Sequence, residues 1–461
     1  MKNKEFKIAP VIACIITMLC VGIVYMWNVF QQPVMDYYGW EKTAVSFISA
    51  VNLFAFSAGI FLGGVIVDRK GPRIVNMLSG ILFFAGLFLS SMLPKSAPWL
   101  IYLTYGVLGG VGVGLAYAGA TNCLQKWFPT RRGFASAIAT CAFGTSIVVC
   151  VPIAQAFLQK GVPFAFRWLG IILGAIVFVC AFFIFLPPKG YMADKIPPRA
   201  EEKAPYSVGE ALKDPRFWFM CTPLFFMTVT YMVVNPIIRT LGAERGLSPA
   251  LLTTTSMLVG IASAVSRFIV PTISDKLGRA KSILVMTVLM LVCALLMIFV
   301  SGVAYTIVIF LIVCAYSGPA GVYPAMTGDA FGMKNTGTIF GLSFFCIGFS
   351  SLFATWMSGA IYKATNGYTW VFIASAILCL IPIYCLAIYD KVGAKRKAAR
   401  EARLAAAAAI PAETPAEAAA IPAETPAEAA AAAKETLESR AEERAEKVKA
   451  EAEINAEQPQ Q

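Results

Sequence analysis

The sequence predicts an all-α polytopic membrane protein with twelve transmembrane helices in two pseudo-symmetric six-helix bundles. Three observations lead to this fold class: an apolar composition, a series of apolar runs of helix length, and a short charged motif that occurs twice. Of the 461 residues, 58% are hydrophobic and 14% are charged, and the mean hydropathy is +0.71. A soluble globular protein has about 45–50% apolar and about 25% charged residues.

The apolar runs are each long enough to cross a bilayer as a helix, which takes about 20 residues for about 30 Å of hydrocarbon. They lie near residues 8–30, 44–67, 74–93, 99–122, 132–158 and 167–186, and then near 215–240, 250–274, 282–300, 303–327, 337–361 and 368–389. Further spans follow the first run too closely for a cleaved signal peptide, so we expect it to be a retained helix.

The spacing of the runs predicts four domains. They are an N-terminal six-helix bundle at 1–186, a cytoplasmic linker at 187–214, a C-terminal six-helix bundle at 215–390 and a cytoplasmic tail at 391–461. The tail contains IPAETPAEAAA twice in tandem and is then rich in Ala, Glu, Lys and Arg. Its prolines interrupt a helix and it has few large apolar residues, so we expect it to be largely disordered.

Positive charge marks one side of the predicted membrane domain. The net charge is +12 although the tail is acidic, so the membrane part is strongly basic. Its Lys and Arg residues concentrate in alternate loops, such as 69–73, 126–132 and 276–281. By the positive-inside rule these loops, the linker and both termini face the cytoplasm, and we expect the cytoplasmic (inner) membrane. Charge dispersed over short loops argues against binding of nucleic acid.

The sequence gives no reason to expect a metal or another cofactor. All 12 cysteines fall within the apolar spans without a CxxC pair, and the chain has no histidine. Cysteines in this setting are typical of small buried apolar side chains. No nucleophile and base, paired carboxylates or metal ligands converge at one depth, so a membrane enzyme is a weak alternative.

Arg267 is the first candidate for binding a ligand. It lies inside the apolar stretch 258–275, and a charged side chain at membrane depth commonly faces a cavity on a substrate or ion path. Ser263, instead of a carboxylate, lies one helical turn before it, and we include Ser263 in the site. An anionic ligand would neutralise the guanidinium, whose planar fork suits a carboxylate. The alternative is that Arg267 snorkels or contacts a carbonyl group.

Polar side chains on other spans are further candidates for lining a cavity. Tyr25 and Asn28 are three residues apart and so share one face of the first helix. Tyr117 is the polar exception on the glycine-rich fourth span, whose small residues predict close helix packing. For each tyrosine, ordinary packing is the alternative.

A charged motif occurs once in each half. Residues 63–74 read GGVIVDRKGPRI and residues 271–282 read PTISDKLGRAKS. The first copy resembles the G-x-x-x-D-R-x-G-x-R signature of the major facilitator superfamily, and the second resembles its degenerate repeat. The resemblance implies two homologous halves and a cytoplasmic gate in which these charges hold helix ends together. The gating residues would be Asp68, Arg69, Arg73, Asp275 and Arg279. The alternative is that they only set the topology.

Two further stretches resemble the oxalate:formate antiporter family, bacterial relatives of the monocarboxylate transporters. They are the fourth span with the turn KWFPTRRG at 126–133, and residues 315–341 with the pattern P-x-x-x-x-D-x-F-G-x-K-N-x-G. The resemblance covers residues 8–389 and implies transport of small organic anions by alternating access. It also implies that Arg267 binds a substrate carboxylate. Tyrosines would form an aromatic cage around it, here Tyr25, Tyr117 and Tyr316 or Tyr323.

One departure from the family affects the expected substrate. Oxalate carriers place a lysine in the eleventh span, but the segment 341–359 has no charge and Ile347 takes the place of the lysine. A dianion held by one arginine would leave a charge uncompensated in a low-dielectric site. We therefore expect a monocarboxylate such as lactate, pyruvate or formate. Exchange of a dicarboxylate, as in oxalate:formate antiport, is the alternative.

The mode of coupling stays open at this stage. Eukaryotic monocarboxylate transporters place an aspartate one turn before the arginine, where this chain has Ser263, and Asp36 and Asp329 lie near span ends. Proton symport and anion exchange both fit, so the expected partners are the carboxylate, the bilayer, and a proton or a counter-anion. We expect a monomer. A membrane receptor with a carrier fold that signals through its acidic tail is the alternative from another functional class.

Overall fold

Helices make up the regular structure of this chain. The computed structural model describes residues 7–40, 42–188, 191 and 206–408, and these ranges contain no strand. Within them, eleven helical stretches are long and apolar enough to cross a membrane, and the shorter apolar helix Ile8–Val21 precedes them. The prediction of an all-α polytopic membrane protein is confirmed. Most of the predicted linker, and the tail beyond residue 408 with its expected disorder, lie outside the described residues.

The described residues of the N-terminal half form seven α-helices. They are α1 (Ile8–Val21), α2 (Trp27–Tyr38), α3 (Lys42–Lys70), α4 (Pro72–Ser90), α5 (Gly110–Trp127), α6 (Arg132–Leu158) and α7 (Val162–Phe183). A 3₁₀ segment, Gly22–Met26, joins α1 to α2, so the first predicted span is a helical path with a local change of winding. A π-helical segment, Tyr102–Gly109, leads directly into α5. Asn52 of α3 donates to the carbonyl oxygens of Tyr105 (2.8 Å) and Gly106 (3.3 Å) in that segment.

The described residues of the C-terminal half form nine α-helices and the 3₁₀ segment Asn235–Ile237. The α-helices are α8 (Val208–Lys213), α9 (Pro215–Val234), α10 (Ile238–Glu244), α11 (Pro249–Leu277), α12 (Arg279–Leu296), α13 (Gly302–Ala320), α14 (Tyr323–Phe331), α15 (Thr336–Thr365) and α16 (Thr369–Ala408). The starts follow from the sequence. Ser207 and Glu210 form a capping box on α8, and Asp214 and Ser248 cap α9 and α11, each of which begins with proline.

Small residues bring the helices of each half together. A Cβ atom at Gly114 of α5 would overlap with the carbonyl oxygen of Phe56 of α3, so these two helices require glycine at their contact. The outer surface instead carries large apolar side chains, including Phe299, Trp356 and Met257, which are 81%, 69% and 66% exposed. Side chains of this kind on the outside are suited to lipid.

The two halves meet along two helix pairs, α3 with α15 and α6 with α11. Asp68 is near the end of α3 and Asp275 is near the end of α11, so we call the side of the molecule that carries them the latch face. Both halves belong to one compact unit, Met1–Arg396, which is distinguished from Lys397–Gln461. The end of α16 continues into the second unit as far as Ala408.

Candidate functional site

A cavity lies between the two halves, and its empty volume, including its open part, is about 500 Å³. The N-terminal half contributes Leu53, Phe56, Tyr117 and Phe143 to its wall. The C-terminal half contributes Pro223, Leu224, Met227, Thr228, Arg267, Tyr316, Pro319, Ala320, Tyr323, Phe344 and Ile347. Most of these side chains are apolar or aromatic, and among the described residues of this wall Arg267 carries the charge.

Arg267 of α11 is 3% exposed and joins the two halves. Its Nε donates to Ser263 Oγ at 3.2 Å, and Ser263 Oγ in turn donates to Ser317 Oγ at 3.1 Å. The guanidinium carbon lies 6.0 Å from the ring centroid of Phe143 in α6, and Thr140 of α6 donates to the backbone oxygen of Arg267 at 3.2 Å. Ser263 therefore orients the guanidinium, and Phe143 provides an aromatic face beside it.

Three of the four tyrosines named from the sequence line this cavity. Tyr117 is 2% exposed, packs edge-on to Phe56 and Phe143 with ring centroids 5.7 and 5.3 Å apart, and stacks on Phe344 at 5.8 Å. Tyr316 and Tyr323 both lie on the wall, although the family resemblance required only one of them. Tyr316 stacks on Tyr231 of α9, with centroids 4.0 Å apart and the rings within 5° of parallel. 

The other residues discussed from the sequence are Tyr25, Asn28, Ile347 and Asp36. Tyr25 lies in the 3₁₀ segment and Asn28 in α2, and their side chains are outside the description. Ile347, which the family resemblance aligns with the lysine of oxalate carriers, lines the cavity. Asp36 is exposed and accepts a hydrogen bond from Gln32 at 2.8 Å.

Asp68 forms the first contact that closes the latch face. Its two carboxylate oxygens accept from the backbone amides of Gly337 (3.1 Å) and Thr338 (2.7 Å), and one of them also accepts from the Thr338 hydroxyl (2.8 Å). These amides are at the beginning of α15, where helix N–H groups have no partner within the helix and the helix dipole favours an anion. The contact joins the N-terminal half to the C-terminal half.

Asp275 forms the corresponding contact in the opposite direction. Its oxygens accept from the amides of Gly133 and Phe134 at the beginning of α6, both at 3.0 Å. Arg279 Nη2 lies 2.6 Å from Asp275 Oδ1. We call the contacts of Asp68 and Asp275 the two latches.

Asp329 of α14 adds an ion pair between the halves. Its Oδ1 lies 3.2 Å from Arg132 Nη1 of α6, and its Oδ2 lies 3.0 Å from Arg279 Nε of α12. The other two predicted gating residues, Arg69 and Arg73, are exposed, and Arg73 lies over the ring of Phe182 in its own half at 5.5 Å. 

Several of these residues were not identified from the sequence. The internal repeat could have revealed four of them: Arg132, Gly133, Gly337 and Thr338. The number of residues from Gly133 to Gly337 nearly equals the number from Asp68 to Asp275. Extending the internal repeat would have paired the two helix starts. Phe56 and Phe143 had no signal, since aromatic residues in an apolar span are common in packing as well as in cavities.

Comparison with protein families decides the assignment of the chain. The family profile described as Major Facilitator Superfamily matches residues 12–355. The chain belongs to the major facilitator superfamily. The prediction from the two charged loops is thereby confirmed, and the fold and family are those of membrane transporters.

This major facilitator is similar to characterised transporters. The oxalate:formate antiporter of Oxalobacter formigenes is 27% identical, and the match covers 80% of this chain and 88% of that protein. Apicoplast pyruvate carrier 1 of Toxoplasma gondii is 22% identical, with 82% and 88% covered. A crystal structure of the fucose:proton symporter FucP of E. coli superimposes with a TM-score of 0.63 at 13% identity, covering 85% of this chain and 99% of FucP. That likeness shows the fold alone.

Proposed function

We propose that this major facilitator transports small monocarboxylates by alternating access, with lactate, pyruvate and formate as the expected range. Arg267 carries the proposal, because it is buried in the wall of the cavity between the two halves and has the geometry to bind a carboxylate. Substrate sites of secondary transporters lie near the bilayer midplane, where two repeats meet. Tyr117, Tyr316 and Tyr323 would shape the rest of the site.

The chemistry of the wall supports one carboxylate over two. Leu53, Phe56, Leu224, Met227 and Ile347 surround the site with apolar surface. A second carboxylate placed against such surface would lose its hydration without gaining a cation, which costs several kcal/mol. The name of the pyruvate carrier from Toxoplasma agrees with this substrate class. The name of the Oxalobacter antiporter favours exchange that includes the dicarboxylate oxalate, which we keep as the second candidate.

We propose that the two latches and the Asp329 ion pair close one gate of the transport cycle. Asp68 and Asp275 bind helix starts of the opposite half, and Arg279 supports Asp275 and Asp329 from within its own half, so rupture of these contacts would open the latch face. Arg69 and Arg73 would have no part in the gate and would only set the membrane topology. From the distribution of Lys and Arg, the latch face would be cytoplasmic, with both termini on that side of the inner membrane. The domain limits at 186, 214 and 390 are part of the same proposal.

Uptake into proteoliposomes tests the substrate class. The purified full-length protein would be supplied with labelled lactate, pyruvate, formate or oxalate, each with and without an internal anion and with and without a proton gradient. We expect saturable uptake of the monocarboxylates and little uptake of oxalate. Stimulation by the internal anion would assign exchange, and stimulation by the gradient would assign proton symport. Preference for oxalate would contradict the proposal.

The substitution Arg267→Gln tests the site itself. Because it removes charge-assisted hydrogen bonds to the substrate, uptake at low substrate should fall about tenfold or more with normal membrane insertion. Arg239→Gln, at an exposed arginine of α10, is the matched control and should leave uptake as it is. Equal uptake by Arg267→Gln and the control would remove Arg267 from the site.

A further inference from the structure

Tyr206, the first residue described after the gap at 192–205, is held at four points by the C-terminal half. Its amide donates to the carbonyl oxygen of Phe331 at 3.2 Å, and its own carbonyl accepts from Asn335 Nδ2 at 2.7 Å. Its ring packs edge-on to that of Phe331, with centroids 5.4 Å apart, and its hydroxyl accepts from Arg216 Nη2 at 2.8 Å. Tyr206 is 5% exposed, so a residue from the segment between the bundles is packed like a core residue.

Arg216, in the first turn of α9, fixes the other side of this contact. Its Nε lies 3.2 and 3.1 Å from the two oxygens of Asp214, and its Nη2 lies 2.9 Å from Asp214 Oδ2. The guanidinium carbon lies over the rings of Tyr206 and Phe331 at 5.5 and 5.4 Å. Both members of the ion pair are 5% exposed. A buried pair with two-point geometry is rigid, because separating it would leave a charge unpaired.

The turn to which these residues attach carries contacts to the other half at both ends. Phe331 ends α14, and Asp329, two residues earlier, pairs with Arg132 and Arg279. Asn335 precedes α15, and the amide of Gly337, two residues later, donates to Asp68. Moving the turn would therefore displace both contacts together.

We propose that Tyr206, Arg216, Phe331 and Asn335 form a clamp by which the segment between the bundles positions the gate. The clamp holds the turn after α14 in the orientation in which Asp329 and the start of α15 reach the N-terminal half. Tyr206, Arg216 and Asn335 are positioning residues, since they act through Asp68 and Asp329. The inference rests on the proposed role of the latches as a gate. It also accounts for the sequence pattern D-x-F-G-x-K-N-x-G, in which Phe331 and Asn335 serve the clamp while Asp329 and Gly337 contact the other half.

A distance measurement across the latch face tests the clamp. Lys70→Cys in the N-terminal half and Lys281→Cys in the C-terminal half replace exposed lysines and would carry nitroxide labels for pulsed electron resonance on the full-length protein in nanodiscs. All twelve native cysteines are free and at least partly buried, and labelled protein without the two substitutions gives their background signal. The protein with both cysteine substitutions is the parent. The variants made in it are Tyr206→Ala, Tyr206→Phe, Asn335→Ala and Asp68→Asn. Trp218→Phe is the matched control, because it removes another hydrogen bond between α9 and the segment, from Trp218 Nε1 to Leu212 O (2.9 Å).

We expect Tyr206→Ala and Asn335→Ala to raise the population with a longer distance by about two- to tenfold, the range given by loss of one or two net hydrogen bonds. Tyr206→Phe, which keeps the ring and the backbone bonds, should have a smaller effect, and Trp218→Phe should match the parent. A merely structural role would reduce the yield of folded protein but leave its distance distribution unchanged. Should Tyr206→Ala fail to insert, Asn335→Ala and Tyr206→Phe decide the question.

Comparison of these variants tests the proposed clamp and the proposed gate separately. Opening by Asp68→Asn with parental distances in Tyr206→Ala and Asn335→Ala would overturn the clamp and keep the gate. Opening by the clamp variants without an effect of Asp68→Asn would keep the clamp and overturn the role of that latch. An equal increase in Trp218→Phe would overturn the clamp, because any loosening of the segment would then suffice.

Discussion

Arg267 and Ile347 lie on the wall of one cavity, and in the proposed function they would together set the charge of the substrate. Arg267 is oriented by Ser263 at 3.2 Å and has the ring of Phe143 beside it. Ile347 is 5% exposed and offers only apolar surface. Under the proposed function, selection between one and two carboxylates would depend on position 347, and one substitution would change it.

At this scale we expect Ile347→Lys to shift preference from monocarboxylates toward oxalate. The added ammonium would supply the second cation that a dianion needs in a low-dielectric site, and the ratio of oxalate to lactate uptake should rise about tenfold or more. Competition between the two labelled anions in proteoliposomes measures the ratio. Ile347→Met, of similar size and neutral, is the control. A rise with methionine, or none with lysine, would show that charge at this position does not set the preference.

Each latch joins the end of one helix to the beginning of another. Asp68 lies near the end of α3 and binds the start of α15, whereas Asp275 lies near the end of α11 and binds the start of α6. Four positions before each aspartate, a backbone carbonyl packs against the glycine whose amide binds that aspartate. The carbonyl oxygen of Gly64 lies against Gly337, and that of Pro271 lies against Gly133. The same local arrangement thus occurs once in each direction across the interface.

The two latches should be separable by hydrogen–deuterium exchange. In Asp68→Asn, the amides of Gly337 and Thr338 lose a charged acceptor and should exchange about tenfold faster or more, while those of Gly133 and Phe134 stay protected. Asp275→Asn should give the reverse. Mass spectrometry of peptides covering 129–136 and 332–340 resolves them. Parallel deprotection of both peptides in either variant would mean that the latches open as one unit.

At the scale of the whole molecule, the halves approach one another so closely that backbone meets backbone. A Cβ atom at Gly64 would overlap with the carbonyl group of Gly337, and one at Gly341 would overlap with the backbone of Phe61. Close contact at the latch face therefore requires glycines, which have no side chain, as much as it requires the charged residues. Gly260 of α11, by contrast, has open space around it.

We expect Gly64→Ala to weaken closure of the latch face and to lower the rate of uptake at saturating substrate about tenfold. Overpacking of a close contact costs about 1–3 kcal/mol, and here the cost applies only to the closed state. Gly260→Ala is the control and should transport normally. Thermal unfolding of both variants should be similar, since the overlap can be relieved by separating the halves. A large loss of stability in Gly64→Ala alone would indicate a folding defect.

The sequence was sufficient for the fold, because twelve apolar runs and a repeated loop leave few other arrangements. It also singled out Arg267 and Tyr117, which line the cavity, and Asp68 and Asp275, which contact the opposite half, since a charge or hydroxyl in or beside an apolar span is conspicuous. The partners of the two aspartates in the opposite half are mostly backbone amides, which every residue except proline possesses, so residue type did not mark them and only an extended repeat could have. Phe143 was missed because an aromatic ring beside a guanidinium looks like any other apolar residue in the chain.

Both latches use main-chain amides as hydrogen-bond donors, and this has a consequence for how such a protein can change over generations. Gly337 and Thr338 in one half, and Gly133 and Phe134 in the other, share only the glycine, yet both pairs present two amides to a carboxylate. At the second position of each pair every residue except proline supplies the amide, and Thr338 alone of the two also donates to the carboxylate through its hydroxyl. The two contacts can therefore differ in side chain while each keeps a pair of main-chain donors.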